Sequence, residues 1–240
     1  MRTIVYIDGY NLYYGRIANT PYKWLDLPAL VSGIVNAQDP ASVLDHVKFF
    51  TAPAIAKFSR RGQVSQHAQA TYHRALETRY PATFTKILGE HTFTQAHVPR
   101  VAGPDIPPSK DDTCLTWKVV EKRTDVNIAL AMYRDACKGL VDQVVLCSND
   151  SDAEPVLEAI RADFPLIRIG LITPRRPPPP GTSSARVKSR SLAAHAHWVR
   201  GHITDDEMAN AQLPDFVAAP SGKKFKKPEH WYPPAPEVGN

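Results

Sequence analysis

The chain has 240 residues, a net charge of +5 and a pI near 9.1. Its composition, 43% hydrophobic and 22% charged, excludes a fibrous or intrinsically disordered protein. The basic balance is compatible with a polyanionic partner without requiring one. Three cysteines without close spacing argue against a disulfide framework, and no apolar run is long enough for a signal peptide or a membrane span. We therefore expect a cytoplasmic protein that does not associate with a membrane.

Four short runs rich in β-branched or aromatic residues predict buried strands of a parallel sheet. They cover residues 3–7, 47–51, 144–147 and 166–172. Helical patterns alternate with these strands and cover residues 27–35, 65–79, 126–138 and 154–162. This alternation predicts βαβ units, and therefore an α/β fold in which helices flank a mostly parallel central sheet.

The middle of the chain is less regular. Residues 84–101 predict two short strands with Gly89 and Glu90 at the turn between them. The run PDIPPSK at 104–110 predicts a loop, because proline interrupts regular structure. Residues 115–120 fit either a short strand or the approach to the next helix.

Composition changes after residue 172. The run TPRRPPPPGTSS at 173–184 predicts an exposed loop, and residues 191–203 are expected to return a last element to the core. We therefore expect one domain over residues 1–203. Residues 204–240 form an irregular, proline-rich and basic C-terminal extension, either extended or packed on that domain. Its KKFKK and WY runs also have the composition of a segment that binds single-stranded nucleic acid.

Carboxylates stand where the predicted strands end. Asp8 ends the first strand, Asp125 opens a helix, and both Asp150 and Asp152 follow the strand at 144–147. Ligands of open parallel sheets bind beyond the carboxyl ends of the strands, so these four acids are expected on one rim. Each acid also has a structural interpretation as a turn or helix-cap residue. Convergence favours a shared site, because independent caps have no reason to occupy one edge.

Such a group of acids favours a bound cation. Carboxylates gathered in a partly dry cleft raise one another's pKa and resist ionisation, and a divalent cation removes that cost. Oxygen-rich sites suit Mg²⁺ or Mn²⁺. Asn11, on the first helical turn after Asp8, is expected to hydrogen-bond an acid or a water molecule at the same site.

Three motifs resemble a known family. IDGYN at 7–11, TDV at 124–126 and CSNDSDAEP at 147–155 resemble the NYN domain of the PIN-like nuclease superfamily, a group that includes the LabA-like proteins. The resemblance covers about residues 1–200. It implies a three-layer, PIN-like (Rossmann-like) fold and metal-dependent hydrolysis of RNA. By motif match, the resemblance implies four acids that are both metal ligands and catalytic residues: Asp8, Asp125, Asp150 and Asp152. It also implies that Asn11 is a catalytic residue.

Basic and polar residues near the rim are predicted to contact the substrate. Lys118, Lys122 and Arg123 precede the middle acid, and Lys122 is the best placed of them to hold the scissile phosphate. Tyr10 is a candidate for stacking on an unpaired base, and Ser148 is a supporting polar group. Solvated surfaces or core packing would account for the same residues.

The sequence therefore predicts a metal-dependent endoribonuclease acting on single-stranded or structured RNA such as tRNA, with a homodimer possible. The alternative is a catalytically weak or inactive RNA-binding or interaction module of the same fold. A phosphatase of the haloacid-dehalogenase type is a weaker third reading, because that chemistry needs a second acid at the position of Tyr10. No glycine-rich P-loop supports an NTPase.

Overall fold

We describe a computed structural model of the chain, which covers residues 1–179, 181 and 189–232. Its strands, in chain order, are β1 (Arg2–Asp8), β2 (Val43–Thr51), β3 (Phe84–Leu88), β4 (Glu90–Pro99), β5 (Thr113–Lys122), β6 (Gln143–Cys147), β7 (Arg168–Ile172), β8 (Trp198–Arg200), β9 (Phe216–Ala218) and β10 (Lys224–Lys226). Its α-helices are α1 (Gly9–Leu12), α2 (Leu27–Gln38), α3 (Gln63–Arg79), α4 (Thr124–Cys137), α5 (Glu154–Asp163), α6 (Arg190–His195) and α7 (Asp205–Asn210).

Six parallel strands form the central sheet, in the order β3-β2-β1-β6-β7-β8. The chain builds outward from β1 to β3, then returns to the other side of β1 with β6. The carboxyl ends of β1 and β6 therefore flank the point where the winding direction reverses, which is where ligands bind in sheets of this kind.

Helices cover both faces of the sheet, so the molecule has three layers. Successive side chains of β1 point to opposite faces, as in any strand. Val5 and Ile7 join the core beneath α2 and α3, whereas Ile4 and Tyr6 join the core beneath α4, α5 and α6. Burial on both faces explains why this strand is continuously apolar. The α/β fold expected from the sequence is confirmed.

A second, two-stranded sheet stands apart from the first. Strands β4 and β5 form a long antiparallel hairpin across the loop that contains 104–110. The expectation that 84–101 holds two strands is confirmed, but Gly89 does not turn them into a hairpin: β3 belongs to the central sheet and β4 pairs with β5. A Cβ atom at Gly89 would lie 2.4 Å from the hydroxyl oxygen of Thr124, so only glycine fits where the chain leaves the sheet. Residues 115–120 belong to a strand that extends to Lys122.

Residues 204–232 pack against the domain. Met208 and Leu213 are buried in the core beneath α2 and α3. The indole of Trp24 donates a 2.7 Å hydrogen bond to the carbonyl of Pro214, and its ring contacts that of Trp231. This stretch contains α7 and the β9–β10 hairpin and is therefore more regular than the sequence indicated. Residues 233–240 lie outside the described part of the chain.

Two further expectations need comment. The strand predicted at 166–172 begins at Arg168, because Leu166 lies in a turn and is 94% exposed. The predicted loop at 173–184 has no helix or strand over 173–179, and residues 180 and 182–184 lie outside the described residues. No helix in the described part of the chain has the length and apolar character of a membrane span.

Candidate metal centre

Asp8 is held at the end of β1 by two hydrogen bonds. Its Oδ1 accepts from the backbone N–H of Asn11 at 2.9 Å, and its Oδ2 accepts from the hydroxyl of Ser148 at 2.9 Å. The first bond caps α1, which starts at Gly9, and the second joins the end of β1 to the end of β6. The carboxylate is almost fully buried, with 4% exposure. The strand therefore ends on a side chain whose position is fixed from both sides.

Two other carboxylates meet Asp8. Asp125 lies in the first turn of α4, and Asp150 follows β6 and accepts a 3.2 Å hydrogen bond from the backbone N–H of Asp152. One ligand oxygen from each of Asp8, Asp125 and Asp150 lies within 4.8 Å of the other two. These are three segments far apart in sequence, so the fold itself gathers them. A single cation is able to contact all three.

The charge of this group is not neutralised by neighbouring cations. Within the residues described, Asp8, Asp125 and Asp150 form no ion pair with lysine, arginine or histidine. The pKa of Asp8 is raised to about 6, mainly by burial and to a smaller extent by the carboxylates of Asp125 and Glu121, against the two hydrogen bonds that lower it. Burial also raises the pKa of Asp125, with Asp150 and Asp152 adding to the effect. A divalent cation would relieve this repulsion.

A fourth carboxylate, Glu121, was missed in the sequence. It lies near the end of β5, lines the same open cleft of about 210 Å³, and accepts a hydrogen bond from the hydroxyl of Thr124. Burial raises its pKa, and the charge of Asp125 adds to this. Only its position four residues before Asp125, on a strand extended to Lys122, would have indicated it.

Asp152 and Asn11 are placed differently from the three central acids. Asp152 lies exposed in the short 3₁₀ turn Ser151–Ala153, and its carboxylate is outside the group that shares one cation's reach. Its role as a ligand stays a prediction. The side-chain oxygen of Asn11 accepts a 3.2 Å hydrogen bond from the backbone N–H of Asn149. Asn11 thereby fixes the loop that carries Asp150 against α1.

The predicted basic residues do not point into the cleft. Side chains alternate along a strand, and Glu121 faces the cleft, so Lys118 and Lys122 face the other side of the hairpin. Lys122 is not among the residues that line the cleft, and its role in holding the scissile phosphate stays a prediction. Arg123 adopts φ +76°, a conformation that favours glycine, and its guanidinium pairs with Glu90 at 3.2 Å. None of these three cations is among the residues that line the cleft.

Tyr10 does lie at the cleft. It lines the cavity together with Tyr14, and the two rings are 5.0 Å apart. The hydroxyl of Tyr10 is 3.3 Å from Nε2 of His91 on β4. The residues Tyr13–Ile17 form a π-helical turn directly after α1, a local distortion found often at functional sites.

Comparison with models of protein families shows which family the chain belongs to. The family model of the NYN domain matches residues 2–188, which include Asp8, Asp125, Asp150 and the strands that carry them. The chain belongs to the NYN domain family. The resemblance noted in the sequence is confirmed, and with it a place in the PIN-like nuclease superfamily.

Two known proteins are similar to this NYN domain chain. The 6-hydroxy-3-succinoylpyridine 3-monooxygenase HspA of Pseudomonas putida is 37% identical over 247 residues, which cover 97% of this chain and 76% of that protein. A crystal structure of a protein of unknown function from Vibrio parahaemolyticus matches with a TM-score of 0.46 and 19% identity, over 85% of this chain and 94% of the other.

Proposed function

We propose that this NYN domain protein is a metal-dependent endoribonuclease that hydrolyses phosphodiester bonds of single-stranded or structured RNA, such as tRNA, in the cytoplasm. The observation that carries the proposal is the group formed by Asp8, Asp125 and Asp150, whose ligand oxygens lie within 4.8 Å of one another without a neutralising cation among the described residues. A site that only stabilised the fold would have no reason to collect like charges.

The donor set fits Mg²⁺ or Mn²⁺. All three ligands are carboxylates, the hard oxygen donors that these ions prefer, and the cleft is open enough for water and a substrate phosphate to complete the shell. When bound, such an ion acidifies a water molecule and neutralises charge that develops on the phosphate. Asp8, Asp125 and Asp150 are the proposed ligands, and Asp152 is a further candidate.

Other side chains have supporting roles in this proposal. Ser148 holds the Asp8 carboxylate in one orientation, and Asn11 holds the loop of Asp150. Glu121 adds negative charge and is a candidate proton acceptor for the attacking water. Tyr10 and Tyr14 offer ring faces to a base beside the scissile phosphate. No cysteine or serine nucleophile is required.

A second candidate function follows from the monooxygenase relative. Identity of 37% across nearly the whole chain is a specific reason to consider hydroxylation of a pyridine ring. Against it, the donor set contains no histidine, whereas oxygen-activating iron sites of the common type use two histidines and one carboxylate. The sequence also has no two glycines separated by one residue, so it lacks the dinucleotide-binding fingerprint.

One experiment separates these functions. The purified protein is incubated with unstructured RNA and with tRNA in Mn²⁺ or Mg²⁺, and in parallel with 6-hydroxy-3-succinoylpyridine, NADH and air. We expect RNA cleavage that leaves 5′-phosphate ends and stops in EDTA, with no oxygen consumption. Turnover of the pyridine with no RNA cleavage would reject the nuclease proposal.

The variant Asp8→Asn tests whether the acids carry the activity. It is nearly isosteric and removes one charge, so cleavage should fall at least about 100-fold. Asp206→Asn is the matched control, because Asp206 is an exposed carboxylate on α7. Full activity in Asp8→Asn would show that cleavage arises elsewhere.

A further inference from the structure

The β4–β5 hairpin carries exposed aromatic rings that pack on one another. Phe93 and Trp117 have ring centroids 6.0 Å apart, and Phe58, from the turn before α3, contacts both at 5.8 and 6.3 Å. Their exposed fractions are 41%, 56% and 45% for Phe93, Trp117 and Phe58. We call these three residues the aromatic platform. Core packing does not account for rings so open to solvent.

The platform is continuous with the acidic cleft. Alternate residues of a strand lie on the same face, and His91 pairs with Glu121 across the hairpin. Phe93 and His91 therefore share one hairpin face with Trp117 and Glu121. His91 contacts the ring of Tyr10, and both Tyr10 and Glu121 line the cleft. Trp117 lies four residues along β5 from Glu121, a distance of about 13 Å. A ligand held in the cleft would reach the platform with a short extension.

Positive charge accompanies the rings. The ammonium of Lys57 lies 5.9 Å from the centroid of the Phe93 ring, within cation–π range. Arg60 and Arg61 follow Phe58 in the chain. Exposed rings with neighbouring cations are the combination used to bind single-stranded nucleic acid, since the bases stack and the phosphates pair with the cations. A surface built for a second protein copy would not need the cations.

We propose that the aromatic platform stacks unpaired bases of a single-stranded RNA whose scissile phosphate lies in the acidic cleft. This inference rests on the proposed nuclease function and adds the substrate form and the direction of its path. The strand runs from the cleft past Tyr10 and along the outer face of β4 and β5. Its bases stack on the rings without hydrogen-bond readout, so the preference is for single strands over duplexes rather than for one sequence.

Binding is measured without cleavage, by fluorescence anisotropy of a labelled single-stranded RNA oligonucleotide in EDTA. Trp117→Ala should weaken binding about 5- to 100-fold, the range for loss of one stacked base. Trp117→Phe should recover most of the affinity. Phe216→Ala is the matched control, because Phe216 is also exposed and also has a lysine over its ring, but on β9. Equal affinity of Trp117→Ala and wild type would overturn the platform.

Kinetics give a second readout. In Mn²⁺, Trp117→Ala should raise KM for the oligonucleotide several-fold and change kcat by less than about twofold. A duplex of the same sequence should be cut more slowly and respond less to the variant. Wild-type cleavage with no KM change in Trp117→Ala would reject the platform and leave the nuclease intact. Absence of both binding and cleavage in wild type would reject both proposals.

Sedimentation distinguishes the other possible occupant. If Trp117→Ala converts a wild-type dimer into a monomer, the face is a contact between two copies and the RNA proposal is wrong. We expect the same sedimentation coefficient for wild type, Trp117→Ala and Phe216→Ala.

Discussion

The hydroxyl of Ser148 donates a 2.9 Å hydrogen bond to Oδ2 of Asp8 and accepts one of 3.1 Å from the backbone N–H of Asp150. One buried side chain thus sets the position of a central acid and of the loop that carries another. Asp8 ends β1 and Asp150 follows β6, and these two strands are adjacent in the sheet and far apart in the chain.

Ser148→Ala should weaken the metal site more than the fold. Loss of the hydroxyl frees the Asp8 carboxylate to rotate, and changes of this kind at groups that orient metal ligands cost about 10- to 100-fold in affinity or activity. The loss is measured by the rate of RNA cleavage as a function of Mn²⁺ concentration. Ser151→Ala, at an exposed position of the same loop, is the control. An unchanged Mn²⁺ dependence in Ser148→Ala would contradict the positioning role.

Asp8→Asn should stabilise the metal-free protein at neutral pH. The pKa of Asp8 is about 6 in the fold against an ordinary value of 3.8, so ionisation is disfavoured by about 3 kcal/mol. Between about pH 4 and pH 6, Asp8 stays protonated in the folded state and is ionised in the unfolded state. This stability is present at pH 4 and is lost as the pH rises through 6. Urea unfolding of both proteins in EDTA between pH 4 and 7 tests the sign.

The addition of Mn²⁺ should make wild type more stable than Asp8→Asn. Wild type gains binding free energy from the metal, whereas Asp8→Asn gains much less. Asp206→Asn should follow wild type at every pH. A wild-type protein that becomes more stable than Asp8→Asn between pH 4 and 7 in EDTA would contradict the charge argument.

His73 should produce the opposite pH dependence. The pKa of this histidine is lowered to about 3, mainly by burial and to a smaller extent by the charge of Lys86. The unfolded chain therefore binds a proton below pH 6.5 that the folded chain cannot accept, and stability falls as the pH falls. The slope is at most about 1.4 kcal/mol per pH unit. His73→Leu should flatten this slope in urea unfolding between pH 6.5 and 4.5, whatever its effect at neutral pH.

Glu121→Gln should weaken metal binding about tenfold. The side chain lines the acidic cleft, its charge raises the pKa of Asp8, and the charge of Asp125 in turn raises the pKa of Glu121. Isothermal titration with Mn²⁺ provides the measurement. Glu158→Gln, at an exposed position on α5, loses the same charge away from the cleft and should bind as wild type does. Equal affinities for the two variants would place Glu121 outside the metal site.

Trp231→Ala should lower the free energy of unfolding by about 2 kcal/mol. The ring of Trp231 packs edge-on against Trp24 and Tyr72, with centroids at 6.2 and 5.9 Å. Urea unfolding measures the loss. Phe216→Ala truncates an exposed ring on the same extension and should cost less than about 0.5 kcal/mol. If both cost the same, the extension is not anchored through Trp231.

The convergence of Asp8, Asp125 and Asp150 could be predicted from sequence, because each stands at or just after the end of a strand or at the start of a helix. Asp8 and Asp150 follow buried strands whose apolar runs are unmistakable, and parallel strands bring their carboxyl ends to one edge. Glu121 could not be found in this way. Its strand pairs with β4 across a proline-rich loop, and Trp117, Lys118 and Val119 are all exposed, so no alternation marks the strand.

The sequence also could not predict which way the side chains of the basic residues point. Lys122 and Glu121 are neighbours in the chain, but strand geometry sends one to the cleft and the other away from it. The packing of the extension also depends on tertiary contacts. Trp231, one of the aromatic residues whose composition suggested nucleic-acid binding, packs partly buried against the core. A lysine-rich composition gave no indication of that anchor.

The family match ends at residue 188, yet Ile203, Met208 and Leu213 complete the core beneath α2 and α3. The core of this protein therefore extends beyond the residues that the family model matches. A chain cut at residue 188 would leave exposed the apolar side chains of α2 and α3 that Ile203, Met208 and Leu213 cover.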